Sequence, residues 1–163
     1  MTELGSSGAI EELFFHHYVR LVRAARVMLG DAGAAEETVQ EAFVLLCRHQ
    51  GRLADPGRAA SYLYSTVLNL GRSRLRRLRV ARRHLAELWS PERSADGTSL
   101  RADQRAVIDA LRRLSRRQRE CLVLRYYLDL SETEIAEAMG ISAGSVKTHA
   151  ARGLATLKKE LDG

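Results

Sequence analysis

The sequence predicts an all-α protein of two small helical domains joined by a flexible linker. Every long segment repeats its apolar residues at three- and four-residue spacing, and none alternates with the two-residue period of a strand. Caps and stops stand at the ends of those runs, where helices begin and finish. One stretch, residues 84–99, breaks the pattern with Ser90-Pro91 and Ser94-Ala95-Asp96-Gly97-Thr98-Ser99, which suits a linker. The domains are therefore placed at 8–83 and 100–163. With 163 residues in all, each half is near the size at which a helical core can still stabilise itself.

The first helix is carried by Phe14, Tyr18, Leu21, Val22, Ala25 and Leu29, and Gly30 stops it. The second has Val39, Ala42, Phe43 and Leu46 as its stripe. Asp31 precedes it as a cap, Glu36 and Glu37 sit near the positive end of its dipole, and it closes near Gly51. A loop from Arg52 to Gly57 follows, in which Asp55-Pro56 has the form of a cap with proline at the first helical position. The third helix carries Ala60, Leu63, Tyr64, Val67, Leu68, Leu75 and Leu78 and passes into a run of arginines. Trp89, in the linker, suits packing back on a neighbouring domain. Beyond it, Ile108, Leu111 and Leu114 form an amphipathic helix, and Leu122 with Leu124 to Tyr127 continues the core. Ser115-x-x-Gln118 and Ser131-x-x-Glu134 have capping-box form. Ser142 caps a last helix reaching towards Leu161, with Val146, Leu154 and Leu157 inward.

Charge narrows the function. The chain holds 26 Lys plus Arg against 20 Asp plus Glu, and 23 of the bases are Arg. Residues 1–50 carry a net −3, residues 51–83 a net +8 and residues 84–163 a net +1. Seven arginines fall between Arg72 and Arg83 with no acid within a turn to pair with them. Such a strip suits a nucleic-acid backbone; a solvated basic helix end is the plainer use. No apolar stretch approaches the ~20 residues of a spanning helix, so no membrane insertion is expected. The first residues, with Glu3, Glu11 and Glu12, lack the basic start of a secretion signal. Cys47 and Cys121 lie inside apolar helical patterns and read as free buried thiols of a reducing cytoplasm. Neither His16-His17 nor Cys47-x-His49 has the second paired spacing of a zinc site, and no glycine-rich phosphate loop is present. No cofactor, metal or enzymatic activity is expected.

Glu132 to Arg152 has the layout of a helix-turn-helix. Ala136 is small where two helices would cross, Gly140 supplies the turn, and Ile135, Met139, Ile141 and Val146 fill the wedge. The second helix would lie in a major groove and present Ser145, Lys147, Thr148, His149 and Arg152 to base edges and phosphates.

The stretches Leu111 to Tyr127 and Leu130 to Leu154 together resemble region 4 of the extracytoplasmic-function (ECF) sigma factors of the sigma-70 family. Glu37-Thr-Val-Gln-Glu-Ala-Phe43 resembles their region 2.2, and Ser61-Tyr-Leu-Tyr-Ser-Thr-Val-Leu-Asn69 their region 2.4. The likeness spans about Phe14 to Leu157, and Tyr126-Tyr127 resembles an actinobacterial subgroup. It implies a cytoplasmic protein, nucleoid-associated when bound to polymerase. Its partners would be core RNA polymerase, through the β′ clamp helices and the β flap, promoter DNA and an anti-sigma factor.

By the same resemblance, Glu37, Gln40 and Glu41 meet the clamp helices, although by spacing alone they serve equally as solubilising surface. Arg58, Ser61, Tyr62, Asn69, Arg72 and Arg76 would meet the minus-ten element, where aromatic and Arg side chains hold a splayed base and separated backbone. Tyr62 stands where the family has tryptophan, and Val67-Leu68-Asn69 lacks the usual arginine; Tyr62 and Tyr64 also suit a core. Ser145, Lys147, Thr148, His149 and Arg152 would meet the minus-thirty-five element. Two other functions fit parts of the chain. One is an activator of response-regulator output type, which shares Leu114 to Glu120 and Val146 to His149; the other is a sigma-like adaptor without initiation activity.

Overall fold

A computed structural model describes residues 2–49, 55–85 and 101–163. These form seven helices and no strand: α1 Thr2–Leu29, α2 Ala32–Arg48, α3 Pro56–Leu85, α4 Ala102–Arg113, α5 Arg116–Tyr126, α6 Glu132–Met139 and α7 Ala143–Asp162. Most of the expected linker with Trp89, and the first half of the Arg52 to Gly57 loop, lie outside the described residues.

The punctuation seen in the sequence operates as local hydrogen bonding. Gly30 ends α1 at φ 76°, and its N–H donates to the Arg26 carbonyl at 2.8 Å. The Asp31 carboxylate accepts from the Ala34 N–H at 3.1 Å, satisfying an amide that the start of α2 leaves without a helical partner. Asp55 accepts from the Gly57 N–H at 3.0 Å, and Pro56 opens α3. At Ser131 the box is complete: its hydroxyl accepts from the Glu134 N–H, and the Glu134 carboxylate accepts from the Ser131 N–H, each at 3.2 Å. Ser115 makes only the first half, accepting from the Gln118 N–H at 3.4 Å.

In the first half, α1, α2 and α3 bury Leu21, Leu46 and Leu63 against one another, each almost wholly out of solvent. Each such leucine contributes roughly 1.5–3 kcal/mol relative to exposure. In the second half, α7 packs on α4, α5 and α6 around Leu122, Leu124, Ile135 and Val146. Four residues expected on inward stripes differ. Phe14, Leu78, Tyr126 and Leu154 are exposed, and on α7 the inward positions are taken by Val146, Ala150 and Gly153. Gly153 is there because space is short: a Cβ would lie 3.1 Å from Leu122 Cδ1 and 3.3 Å from Gln118 Cβ.

The two halves are in contact. α3 packs against α6, and α1 against α4 and α5, so the buried apolar side chains form one continuous cluster. The Arg112 guanidinium lies directly over Gly30; a side chain there would have to displace only that flexible end, so the positive φ is what favours glycine.

Candidate nucleic-acid interface

The helix-turn-helix is formed by α6, the Gly140 turn and α7. Gly140 adopts φ 68°, in the left-handed region, and both its N–H and that of Ile141 donate to the Ala136 carbonyl. A Cβ at Gly140 would meet nothing within 4 Å, so backbone conformation, not crowding, requires glycine there. Ile135, Met139 and Val146 are buried in the wedge and Ile141 is half-buried, as the spacing predicts.

On α7 the five candidate residues separate into two groups. Lys147, Thr148 and Arg152 are exposed; Ser145 and His149 are half-buried at the inner edge, which corrects the expectation that all five stand in solvent. The Ser145 hydroxyl accepts from Ser142 at 2.9 Å, and Thr148 donates to the Gly144 carbonyl at 3.1 Å. Lys147 approaches Glu132 at only 3.8 Å across the turn. Arg152 has no ion-pair partner among the described residues. The outward face of α7 thus offers cations held loosely or not at all, which suits groups reserved for another molecule.

The long helix α3 is different. Arg58, Ser61, Tyr62, Asn69, Arg72 and Arg76 fall on one stripe, opposite the buried Leu63, Val67 and Gly71. Arg58, Asn69 and Arg76 are exposed, and Ser61 and Tyr62 are half-buried, with the His49 ring edge-on to Tyr62 at 5.7 Å. Arg72 is engaged elsewhere. Its Nε and Nη2 donate to the two carboxylate oxygens of Glu120 on α5 at 3.0 and 2.6 Å, a bidentate pair in which the Glu120 side chain is only 4% exposed. That hydrogen bonding raises the pKa of Arg72 despite burial, which lowers it. Arg74, on the other flank, donates to Glu37 at 3.0 Å and to Glu41 at 3.2 Å. The arginine run therefore does have acidic partners. They come from α2 and α5, which no spacing within α3 reveals.

The same pairing revises the α2 surface. Glu37 and Glu41 remain exposed but are tied to Arg74, and the Gln40 amide donates to the Tyr18 hydroxyl at 3.2 Å. Tyr18 stacks on Phe14, which meets Phe43 edge-on at 5.2 Å. Tyr64 is a core residue whose hydroxyl meets His17 Nδ1 at 3.1 Å. Burial, then His16 and Arg20, lower the pKa of His17 below its ordinary value. Burial also pushes the Cys121 thiol up to about 11, so it is an inert core group, as expected; Cys47, expected to be buried as well, is exposed, because it stands off the buried stripe of Val39, Ala42, Phe43 and Leu46 on α2. Glu120, Arg74 and Gly153 are the residues that sequence reasoning missed. Only Glu120 left a signal, as an acid directly ahead of the apolar run Cys121 to Leu124.

Two family models match the chain, sigma-70 region 2 over residues 13–81 and sigma-70 region 4 over residues 104–157. The RNA polymerase sigma-E factor of Streptomyces avermitilis is 34% identical over 157 residues, covering 93% of this chain and 87% of that protein. This chain belongs to the ECF sigma factors of the sigma-70 family. Region 2 of the sigma factor accordingly comprises most of α1 with α2 and most of α3, and region 4 most of α4 with α5, α6 and most of α7. Among solved structures, CnrH in complex with the cytosolic domain of CnrY is 26% identical with a TM-score of 0.72, covering 96% of this chain and 94% of that one. The sigma factor RpoE of Bartonella quintana, solved with the anti-sigma factor NepR, is 20% identical with a TM-score of 0.76, covering 93% and 96%; this shows the shared fold. No helix among the described residues of this sigma factor is long and apolar enough to cross a membrane.

Proposed function

We propose that this sigma factor binds core RNA polymerase and directs transcription initiation at promoters bearing minus-ten and minus-thirty-five elements. Region 4 reads the upstream element with Lys147, Thr148 and Arg152, while Ser145 and His149 flank them. Region 2 meets the downstream element with Arg58, Ser61, Tyr62, Asn69, Arg72 and Arg76. The observation that carries this function is the exposed face of α7, whose Arg152 has no ion-pair partner among the described residues on a helix-turn-helix matching region 4. Polymerase performs the chemistry; the chain supplies location and strand opening. Glu37, Gln40 and Glu41 form the polymerase-facing surface with the β′ clamp helices, Arg74 fixing the two carboxylates in place. Residues 84–99 link two functional domains, 8–83 and 100–163. An anti-sigma factor is a further partner. CnrH, the 26% identical relative, was solved with the cytosolic domain of CnrY. The site of action is the cytoplasm, at the nucleoid when polymerase is bound.

Promoter mapping in cells overproducing the protein, followed by reconstituted run-off transcription with core polymerase, examines the proposal. Initiation from mapped promoters supports it. Polymerase binding without initiation at any mapped promoter favours the adaptor function instead. Activation only in the presence of another sigma factor favours the helix-turn-helix activator.

A further inference from the structure

The residues proposed to read the downstream element share their stripe on α3 with Ser65, and region 4 occupies part of it. The Ser65 hydroxyl donates to the Ala138 carbonyl of α6 at 3.3 Å. One turn of helix beyond Asn69, Arg72 is gripped by both oxygens of Glu120. Arg116 adds a second, looser cation to the same carboxylate at 3.7 Å. At the rim, Arg20 on α1 reaches Asp129 at 3.8 Å, and Arg112 lies over Gly30. Polar contacts thus surround an apolar seam in which Met28, Leu29, Leu68 and Leu75 line a small cavity beside Glu120.

This arrangement is incompatible with simultaneous reading of both promoter elements. Elements centred at minus ten and minus thirty-five are about 25 base pairs apart, or roughly 85 Å along the duplex at about 3.4 Å per pair. A compact chain of 163 residues has a radius of gyration of about 15 Å, hence a diameter of roughly 40 Å. The halves must therefore separate before region 2 and region 4 can both engage.

We infer that the Arg72–Glu120 pair is an autoinhibitory latch: region 4 holds a promoter-reading arginine of region 2 on a buried carboxylate and masks part of the α3 stripe until the halves part. Glu120 takes the place that a DNA phosphate takes in the open form, since both offer two oxygens to one guanidinium. Closing lowers the apparent affinity for the downstream element by the fraction of molecules that are open. The inference rests on the promoter-reading function proposed above.

Two measurements on the full chain test it. Small-angle scattering compares wild type with Glu120→Gln, which keeps the side-chain shape and removes the charge, and with Glu120→Ala; circular dichroism confirms that each variant retains its helices. The latch predicts an increased radius of gyration for both, and at least about fivefold tighter binding of a downstream-element DNA fragment without polymerase, by the rise in the open fraction. Compact variants with unchanged affinity overturn it.

The second measurement locks the halves at the surface. Arg20→Cys and Asp129→Cys, on a Cys47→Ser background, are joined by a reducible bismaleimide. The linked protein should lose run-off transcription with core polymerase and regain it on reduction. Linked protein that initiates as well as the reduced form overturns the latch and leaves the sigma function standing. Failure of both linked and reduced forms indicts the sigma function instead, and scattering on the Glu120 variants then decides the latch: expansion supports it, and an unchanged radius refutes it.

Discussion

The two helices proposed to meet DNA hold their cations in opposite ways. On α7, Lys147 and Arg152 project from a face that contributes little to the interior, and the inward face is made of Val146, Ala150 and Gly153. On α3, Arg72 and Arg74 are clamped by carboxylates of α5 and α2, while Arg58 and Arg76 stand in solvent. A basic strip is thus not one kind of surface. Part of the α3 charge binds the protein to itself, and only the remainder is free to supply a field for a polyanion. Region 4 carries less net charge, but on the outward face of α7 Arg152 stays available and Lys147 is held only loosely, at 3.8 Å from Glu132.

The largest test of that contrast is Arg72→Ala. It leaves Glu120 buried with only Arg116 at 3.7 Å, and the expected loss in urea unfolding is about 3 kcal/mol, as for a buried pair stripped of one partner. A loss below that of an exposed arginine would place Arg72 with the solvent-facing cations and erase the distinction. Next comes the turn on which the α7 face depends. Gly140→Ala puts a Cβ at φ 68° and should lower stability by about 1–2 kcal/mol; because the space is open, an Asn at this position should be better tolerated than Ala.

Binding sharpens the comparison from the other side. Arg152→Ala should weaken the upstream element by at least ~1 kcal/mol and relax selectivity at one position in an anisotropy titration at fixed salt. Arg76→Ala should instead weaken downstream binding for every sequence alike and reduce the salt slope by about one. Arg74→Ala, whose partners Glu37 and Glu41 are largely exposed, should lower stability by only about 0.5 kcal/mol; its larger effect should be on polymerase affinity, by freeing two carboxylates.

The smallest expected effect is a pH dependence at His17. Its folded pKa lies below the ordinary 6.5 because burial, with His16 and Arg20, disfavours the imidazolium. The unfolded chain then binds more protons, so this contribution to stability is fully present above pH 6.5 and is lost as pH falls through the lower folded value. His17→Gln should flatten the melting temperature against pH in that interval, and an unchanged slope would assign the dependence to other groups.

Local signals account for what was legible in the sequence. Asp31, Asp55, Ser131 and Ser142 cap the helices that follow them, and Gly30 and Gly140 both take positive φ. Each depends on neighbours within four residues, so sequence is sufficient. The inward assignment of Leu78 and Leu154 failed for a related reason. Helical period names a face, but whether another helix reaches that far along it depends on where the partner ends. Gly153 escaped because its requirement is a close approach to Leu122 and Gln118 of α5, which nothing local specifies.

By itself, the sequence determined the helical class, the caps that open α2, α3, α6 and α7, the turn of the helix-turn-helix and the family, because periodicity, caps and motifs are properties of contiguous residues. Tertiary structure alone decided which arginines are spent on the protein. Arg72 and Glu120 are 48 residues apart, and Arg74 is 37 from Glu37. A guanidinium that looks unpartnered along the chain acquires its partner only when helices from distant segments pack side by side, and that pairing separates a DNA-facing charge from a structural one.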